Sequence, residues 1–354
     1  MAGSTIYDVA AAAGVSIKSV SRVLNGEANV SETLRTKVNT AVEALGYRRS
    51  LSARGLAGSS SSVIIALVDA ELTIEHWQSG SGNDYLSRLE LGILMELRQV
   101  DYHLMVELVD HKSPDLRRDL SSLLSSIRPE GVLLTPPNSD HPVVLDVLDE
   151  AGISYARIGA EQDLDRGILV SMDERQAAFD MTEHLIGLGH RKIGFIAGPA
   201  DYSASRLRLE GFHEAMAAHK LPVPAGAVAE GDFTYACGVS GIACLLDAIP
   251  DLSAVFGCSD DTALGALQGA TERGLRIPRD LSVAGFDDSP SAMFSVPALT
   301  TIRQPVAEMA AAAARQLTPP LRARPENQQS ARPIIVPYRL MVRASSSAPE
   351  TPAR

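Results

Sequence analysis

From Val63 onward the chain repeats one pattern twice: a short apolar run, a segment of helical spacing, then another apolar run. VIIALV (63–68), HLMVELV (103–109), GVLLT (131–135), SYARI (154–158) and ILVS (168–171) read as strands, with helical spacing over 85–99, 114–127 and 141–151. A second series follows, KIGFIAG (192–198), AVAEG (227–231), AVFGC (254–258) and LSVAGFD (281–287), with helices near 174–188, 204–219, 235–248 and 261–273. Strands that alternate with helices must run parallel, because each helix carries the chain back to the start of the next strand. The body is therefore expected to be α/β, with two doubly wound parallel-sheet lobes. Ligands of such sheets bind at the carboxyl ends of the strands. The residues falling there are Asp69–Ala70, Thr135–Pro136, Gly198–Tyr202, Gly231–Phe233, Ser259–Asp261 and Asp287–Asp288. Oxygen ligands with an aromatic ring among them suit a polyhydroxylated molecule, which needs fixed donors and acceptors and an apolar face to stack on.

The segment before Val63 is built differently. Thr5 precedes Ile6, Tyr7, Val9 and Ala10 at helical spacing, and Asp8 completes a capping-box-like start. Gly14 breaks this helix, and Ser16 caps a second one to about Asn25 with Val20, Val23 and Leu24 on its apolar side. Ser31 opens a third, striped by Leu34, Val38, Ala41, Val42 and Leu45 and stopped by Gly46. Three short helices with a tight turn between the first two form the helix-turn-helix pattern, though the pattern alone also fits a plain helical subdomain.

Charge separates head from body. The 354 residues carry a net charge of −11, which argues against nucleic acid if taken as a whole. Residues 1–60, however, hold seven bases against four acids, leaving 25 bases and 39 acids for the rest. A basic head on an acidic body directs the head toward phosphates. No run of apolar residues is long enough to span a membrane, and the opening segment, with Asp8 inside its apolar stretch, is not expected to be a secretory signal. Cys237, Cys244 and Cys258 have neither disulfide-framework nor metal-site spacing, so no metal and no cofactor are expected.

The string TIYDVAAAAGVSIKSVSRVLNG resembles the opening of the lactose-repressor/galactose-repressor (LacI/GalR) family, and the resemblance continues through Tyr47 and residues 51–57. It implies a cytoplasmic, dimeric transcription repressor that binds a pseudo-palindromic operator in double-stranded DNA. Ile17, Lys18 and Arg22 would read bases, with Ser16, Ser19, Ser21, Asn25 and Asn29 on the backbone or neighbouring positions. Ala53-Arg54-Gly55-Leu56-Ala57 resembles the family's hinge helix, in which Arg54 and Leu56 would enter the minor groove and Leu56 would wedge a base step. Gly55 and Arg49 depart from the family pattern; a glycine there weakens a helix by about 0.5–1 kcal/mol.

In the body the resemblance implies a periplasmic-binding-protein-like fold and an effector site. SASRLRLEGF points to Arg206, EGDF to Phe233, CSDDTALGAL to Ser259 in place of an asparagine, AGFDD to Asp287, LTTIRQP to Gln304, and the loop before helix 85–99 to Tyr85. Arg206, Phe233 and Asp287 suit a neutral saccharide better than an anion. The expected divisions are 1–48 for the helix-turn-helix, 49–62 for hinge and linker, and 63–343 for the sensing body. Within that body the first lobe covers about 63–171 and 304–330, and the second about 172–303 and 331–343; 344–354 would be a disordered tail. That tail lacks the heptad repeat by which the lactose repressor forms tetramers, so a homodimer is expected.

Other classes fit less well. A periplasmic sugar-binding protein would share the body but not the head. An α/β enzyme would want a P-loop or GxGxxG, and neither occurs; the eight histidines show no catalytic spacing. A corepressor-dependent, purine-repressor-like regulator, in which ligand tightens DNA binding, stays open.

Overall fold

The structure, a computed structural model, describes residues 4–24, 27, 29–47, 61–80, 82–318 and 332–350. Asn25, Arg49, Arg54, Gly55 and Leu56, named above, lie outside the described residues. The chain divides into two compact units, residues 1–62 and 63–354.

The first unit holds α1 (Ile6–Ala13), α2 (Ile17–Leu24) and α3 (Glu32–Leu45). Its boundaries follow from local chemistry. The Thr5 hydroxyl accepts from the Asp8 amide, the Asp8 carboxylate accepts from the Thr5 amide at 2.7 Å, and Gly14 closes α1 in the left-handed conformation. Ser16 Oγ accepts from the Ser19 amide at 3.1 Å, and Ser31 Oγ from the Leu34 amide at 3.4 Å. Val9, Ala10, Val20, Val23, Val38 and Ala41 meet in a small core that fixes the three helices against one another.

The second unit contains two six-stranded sheets. The first lobe is built from β1 (Val63–Asp69), α4 (Ala70–Ser79), α5 (Asp84–Leu97), β2 (His103–Val109), α6 (Leu116–Ile127), β3 (Gly131–Leu134), α7 (Pro142–Glu150), β4 (Ser154–Ile158) and β5 (Ile168–Ser171). The second lobe follows with α8 (Glu174–Gly187), β6 (Ile193–Ile196), α9 (Ser203–Ala218), β7 (Val228–Ala229), α10 (Tyr235–Ala248), β8 (Ala254–Gly257), α11 (Asp260–Glu272), β9 (Ser282–Asp287), α12 (Pro290–Phe294) and β10 (Thr300–Arg303). The chain then returns through α13 (Val306–Leu317) and β11 (Ile334–Ile335) to the first lobe and ends on β12 (Arg339–Met341) in the second.

Strand order is β11-β5-β4-β3-β1-β2 in one sheet and β12-β10-β9-β8-β6-β7 in the other, parallel throughout except where β10 pairs antiparallel with β12. The central strands read as unbroken apolar runs because helices cover both faces; Ile64, Ile65, Ala66 and Leu67 are all fully buried. Arg157 on β4 is one exception. Its buried guanidinium donates to the carbonyls of Ser139, Gln162, Asp163 and Arg166 and to the Asp140 carboxylate, pinning the 159–167 loop to the sheet.

Two expected boundaries need correction. Residues 331–343 do not belong to one lobe: Ile334 and Ile335 pair with β5 in the first sheet, and only 339–341 join the second. Residues 344–350 are no disordered tail. Ser345 is fully buried, its amide donates to Ala298 O at 3.0 Å and its hydroxyl to Val283 O at 2.5 Å, while Ser347 O lies 2.9 Å from His190 Nε2. These hydrogen bonds satisfy backbone groups beyond the sheet, which is why a Ser-rich, apolar-poor segment stays docked.

The chain therefore passes between lobes at 171–174, 303–306 and 335–339. Such multiple crossings are the architecture of hinge closure.

Candidate functional site

In the first unit the chemistry gathers on α2. Val20 and Val23 are buried, which turns Ile17 and Lys18 outward; Ile17 is 41% exposed. No acid stands in the first turn, so the positive end of the helix and the Ser16 and Ser19 hydroxyls face outward unopposed by a local carboxylate. Ser21 and Arg22 follow one turn later. Arg22 is held by Glu27 at 2.9 Å and donates to Asn29 O at 2.7 Å. An exposed ion pair of this kind is worth about 0–1 kcal/mol, so it pre-aligns the guanidinium at little cost to release.

In the second unit the carboxyl ends of the strands of both lobes line one cavity of about 460 Å³. Tyr85, Phe233, Ser259, Asp287 and Gln304, five of the six residues singled out from the sequence, line it. Arg206 does not. It lies half-exposed on α9, 3.8 Å from Glu210. Two residues along a helix turn a side chain by roughly 200°, so it is Arg208 that faces the cavity. Arg208 shares its face with Phe212, Ala215 and Met216, all buried, whereas Arg206 shares its own with Glu210. That phase is the signal by which the sequence could have identified it.

Arg208 is deeply engaged. It donates to Glu174 at 2.8 Å and to Cys258 O at 2.7 Å, and its guanidinium carbon sits 3.7 Å from the centre of the Phe286 ring. Burial works against its charge, but Glu174 and Asp287 outweigh that and raise its pKa above the ordinary arginine value. Asp287 accepts from Gln304 Nε2 and, at 3.4 Å, from the Asp260 amide. Asp260 in turn accepts from Thr301 Oγ1 and the Ser289 amide, both at 2.6 Å. Burial pushes both carboxyls upward, Asp260 further through the neighbouring Asp287, while Arg208 pulls Asp287 back.

Backbone strain concentrates here: Phe233, Asp287 and Asp288 adopt φ of 70°, 128° and 57°. Non-glycine residues held there cost of order 1–3 kcal/mol each and persist only where surroundings impose them. For Asp288 the surroundings are Arg303, at 2.5 Å, and Arg343. Phe233 rests over Gly198, where any Cβ would lie 2.3 Å from the ring. Ser259 lines the cavity, but its hydroxyl donates to Phe233 O at 3.0 Å and caps α11 through the Thr262 amide at 3.1 Å, so its work is to hold the aromatic loop.

The lobes also touch across the cleft. Tyr202 donates to the Asp69 carboxylate, Ser203 Oγ donates to Gly159 O at 3.0 Å, and Arg88 on α5 donates to the carbonyls of Asp287, at 2.9 Å, and Asp288. Asp69, Tyr202, Asp287 and Asp288 were expected at strand ends, whereas Arg88, Gly159, Ser203 and Glu174 were not singled out, because their pairing depends on the relative placement of two sheets. Among the described residues no cluster of His, Cys, Asp or Glu is arranged to hold a metal ion, and no helix is long and apolar enough to cross a membrane.

A helix-turn-helix unit followed by a two-lobed α/β unit with a polar, aromatic-lined cleft defines a ligand-sensing DNA-binding regulator. Comparison with known proteins supports this over nearly the whole chain. The model of bacterial regulatory proteins of the lacI family matches residues 5–50, and that of the periplasmic binding protein-like domain matches residues 182–346. The HTH-type transcriptional regulator CelR of Thermobifida fusca is 34% identical over 96% of this chain and 98% of its own. Catabolite control protein A of Priestia megaterium is 30% identical over 89% of this chain and 91% of its own. Among solved structures, a CelR–cellobiose complex superposes with a TM-score of 0.70 at 31% identity, covering 97% of this chain and all of that one. A lac repressor dimer bound to operator and the anti-inducer ONPF gives 0.78 at 25% identity, covering 98% and 100%. The chain belongs to the lacI family of bacterial transcription regulators.

Proposed function

We propose that this regulator is a cytoplasmic homodimeric repressor that binds a pseudo-palindromic operator and lets go of it, or grips it harder, when a neutral sugar fills the cleft. The observation that carries the reading is the cleft itself: Phe233 offers a stacking face beside Arg208, Asp287 and Gln304, a donor and acceptor set for vicinal hydroxyls. Acids outnumber bases along its lining, with Asp69, Asp84, Glu161, Glu174, Asp260, Asp261 and Asp287 against Arg88 and Arg208. That balance favours an uncharged ligand over a phosphorylated one. The relative solved with cellobiose supports a saccharide, and the one solved on operator supports a DNA-bound dimer.

On DNA, α2 would lie in the major groove, with Arg22 bidentate to a guanine, Lys18 on guanine or phosphate, and Ile17 on a thymine methyl. Ser16, Ser19, Ser21, Asn25 and Asn29 would hold the backbone, and Arg54 and Leu56 the minor groove. Ligand changes DNA affinity only through its differential affinity for the open and closed lobes, a coupling typically of about 1–3 kcal/mol.

The test is a selection for DNA bound by the full chain, followed by anisotropy titration of the selected duplex at fixed salt with wild type and Arg22→Ala. A palindromic consensus whose preference at one base pair relaxes in Arg22→Ala supports the assignment. Sequence-independent binding by the wild type would sink it.

A further inference from the structure

The chain has a single tryptophan, and it stands at this cleft. Trp77 sits on α4, a helix with no buried residue, and is 55% exposed although it lines the cavity. It therefore does not serve as core. The helix is tethered at its ends, by the Asp69 carboxylate on the Glu71 amide at 3.1 Å and by Gly80 closing it in the left-handed conformation.

The same cavity is lined by two residues with an unpartnered polar atom each. Among the described residues His76 Nε2 and Asn83 Oδ1 have no hydrogen-bond partner, while Asn83 Nδ2 donates to the backbone carbonyl of His76 at 3.2 Å and so ties the loop after α4 back to that helix. Burial pushes the His76 imidazole below its ordinary range, against the pull of the Asp232 and Asp69 carboxylates, and Phe233, the residue after Asp232, lines the same cavity. A second aromatic station already lies there: Phe233 packs edge-on against Tyr202, their centres 5.5 Å apart.

We infer that the cleft holds a sugar of at least two rings, the inner ring stacked on Phe233 and the outer ring on Trp77, with His76 and Asn83 bonding the outer ring's hydroxyls. This rests on the reading of the cleft as a saccharide site and goes further in fixing ligand length. A monosaccharide would satisfy the Phe233, Arg208 and Asp287 group and leave the α4 group untouched. The volume of about 460 Å³ lies within the range of about 300–1,000 Å³ typical of small-molecule sites.

Because Trp77 is the only indole, its emission reports this position alone. The full chain is titrated with a panel of neutral mono-, di- and trisaccharides, followed by thermal melting and by tryptophan fluorescence. A disaccharide that raises the melting temperature is expected to shift the Trp77 emission to the blue. Trp77→Ala should weaken that disaccharide about five- to tenfold, equivalent to about 1–1.4 kcal/mol, with Trp77→Phe recovering most of the loss. Affinity for the matching monosaccharide should stay within about twofold in Trp77→Ala. If sugars raise the melting temperature but neither the emission nor the Trp77→Ala affinity responds, the outer station is refuted and the saccharide reading stands. A panel in which only monosaccharides bind refutes it equally. If no sugar affects melting, the saccharide reading itself fails and takes this inference with it.

Discussion

Arg208 and Arg206 lie two residues apart on α9, and replacing each gives opposite expectations. In Arg208→Met the chain keeps the bulk of the side chain but strands Glu174, whose side chain is 11% exposed, and removes the cation that steadies Asp287. Breaking a buried pair by taking one partner costs about 3–5 kcal/mol, so the sensing unit should melt well below wild type. Any hydroxyl–guanidinium bonds to the effector go as well; at about 1.5–3 kcal/mol for a hydrogen bond to a charged group, affinity falls roughly tenfold to 150-fold. The double variant Arg208→Met/Glu174→Gln separates the two effects. Removing the stranded charge should return much of the melting temperature and none of the effector response. Arg206→Ala, on the exposed face beside Glu210, should change neither by more than about 0.5 kcal/mol. Melting curves and operator anisotropy with and without sugar read both quantities. An Arg208→Met/Glu174→Gln protein that responds to sugar at wild-type concentrations would refute the placement of Arg208 in the site.

Gly198→Ala places a methyl 2.3 Å from the Phe233 ring and should destabilise by about 1–3 kcal/mol, with effector affinity falling alongside while operator binding is kept; calorimetry on the soluble variant checks both. Arg157→Met takes a fully buried guanidinium away from the Asp140 carboxylate and from the carbonyls of Ser139, Gln162, Asp163 and Arg166, and should lower the sensing unit's stability by about 3–5 kcal/mol in chemical denaturation while the first unit's unfolding is unchanged. The Asp260–Asp287 pair sets a pH dependence with a definite sign. Both carboxyls are raised in the folded state, so the unfolded chain releases their protons first and the pair's contribution, full below the ordinary carboxylate range, is lost as pH rises through the folded values. Asp260→Asn should flatten that decline, and a denaturation series across pH with an unchanged slope would exclude the pair as its source.

What the sequence revealed and what it hid follow one physical rule. Strands such as 63–68, 131–134 and 154–158 were legible because an apolar run buried on both faces is its own signature. The helix α4 left no trace because none of its residues is buried, so it has no apolar period to read. Thr300–Arg303 was not read as a strand, although it pairs with both β9 and β12; its two threonines are fully buried and bonded, not apolar. Residues 344–350 looked like a tail since their anchors, Val283 and Ala298, are far off in sequence. The site was half legible for the same reason. Phe233, Asp287 and Gln304 announce themselves within short motifs. Arg208 was there to be found in the helical phase, while Arg88, Glu174 and the Tyr202–Asp69 pair exist only once two sheets face each other.

The account turns on one coupling: a sugar in the cleft of the second unit must change how tightly the first unit holds DNA. The most direct measurement is a closed thermodynamic cycle, with operator affinity taken with and without saturating sugar and sugar affinity taken with and without operator, at one salt concentration. The account predicts that both arms change by the same factor, roughly 5- to 150-fold, in either direction. Two arms that each show tight, specific binding and no mutual effect would contradict it.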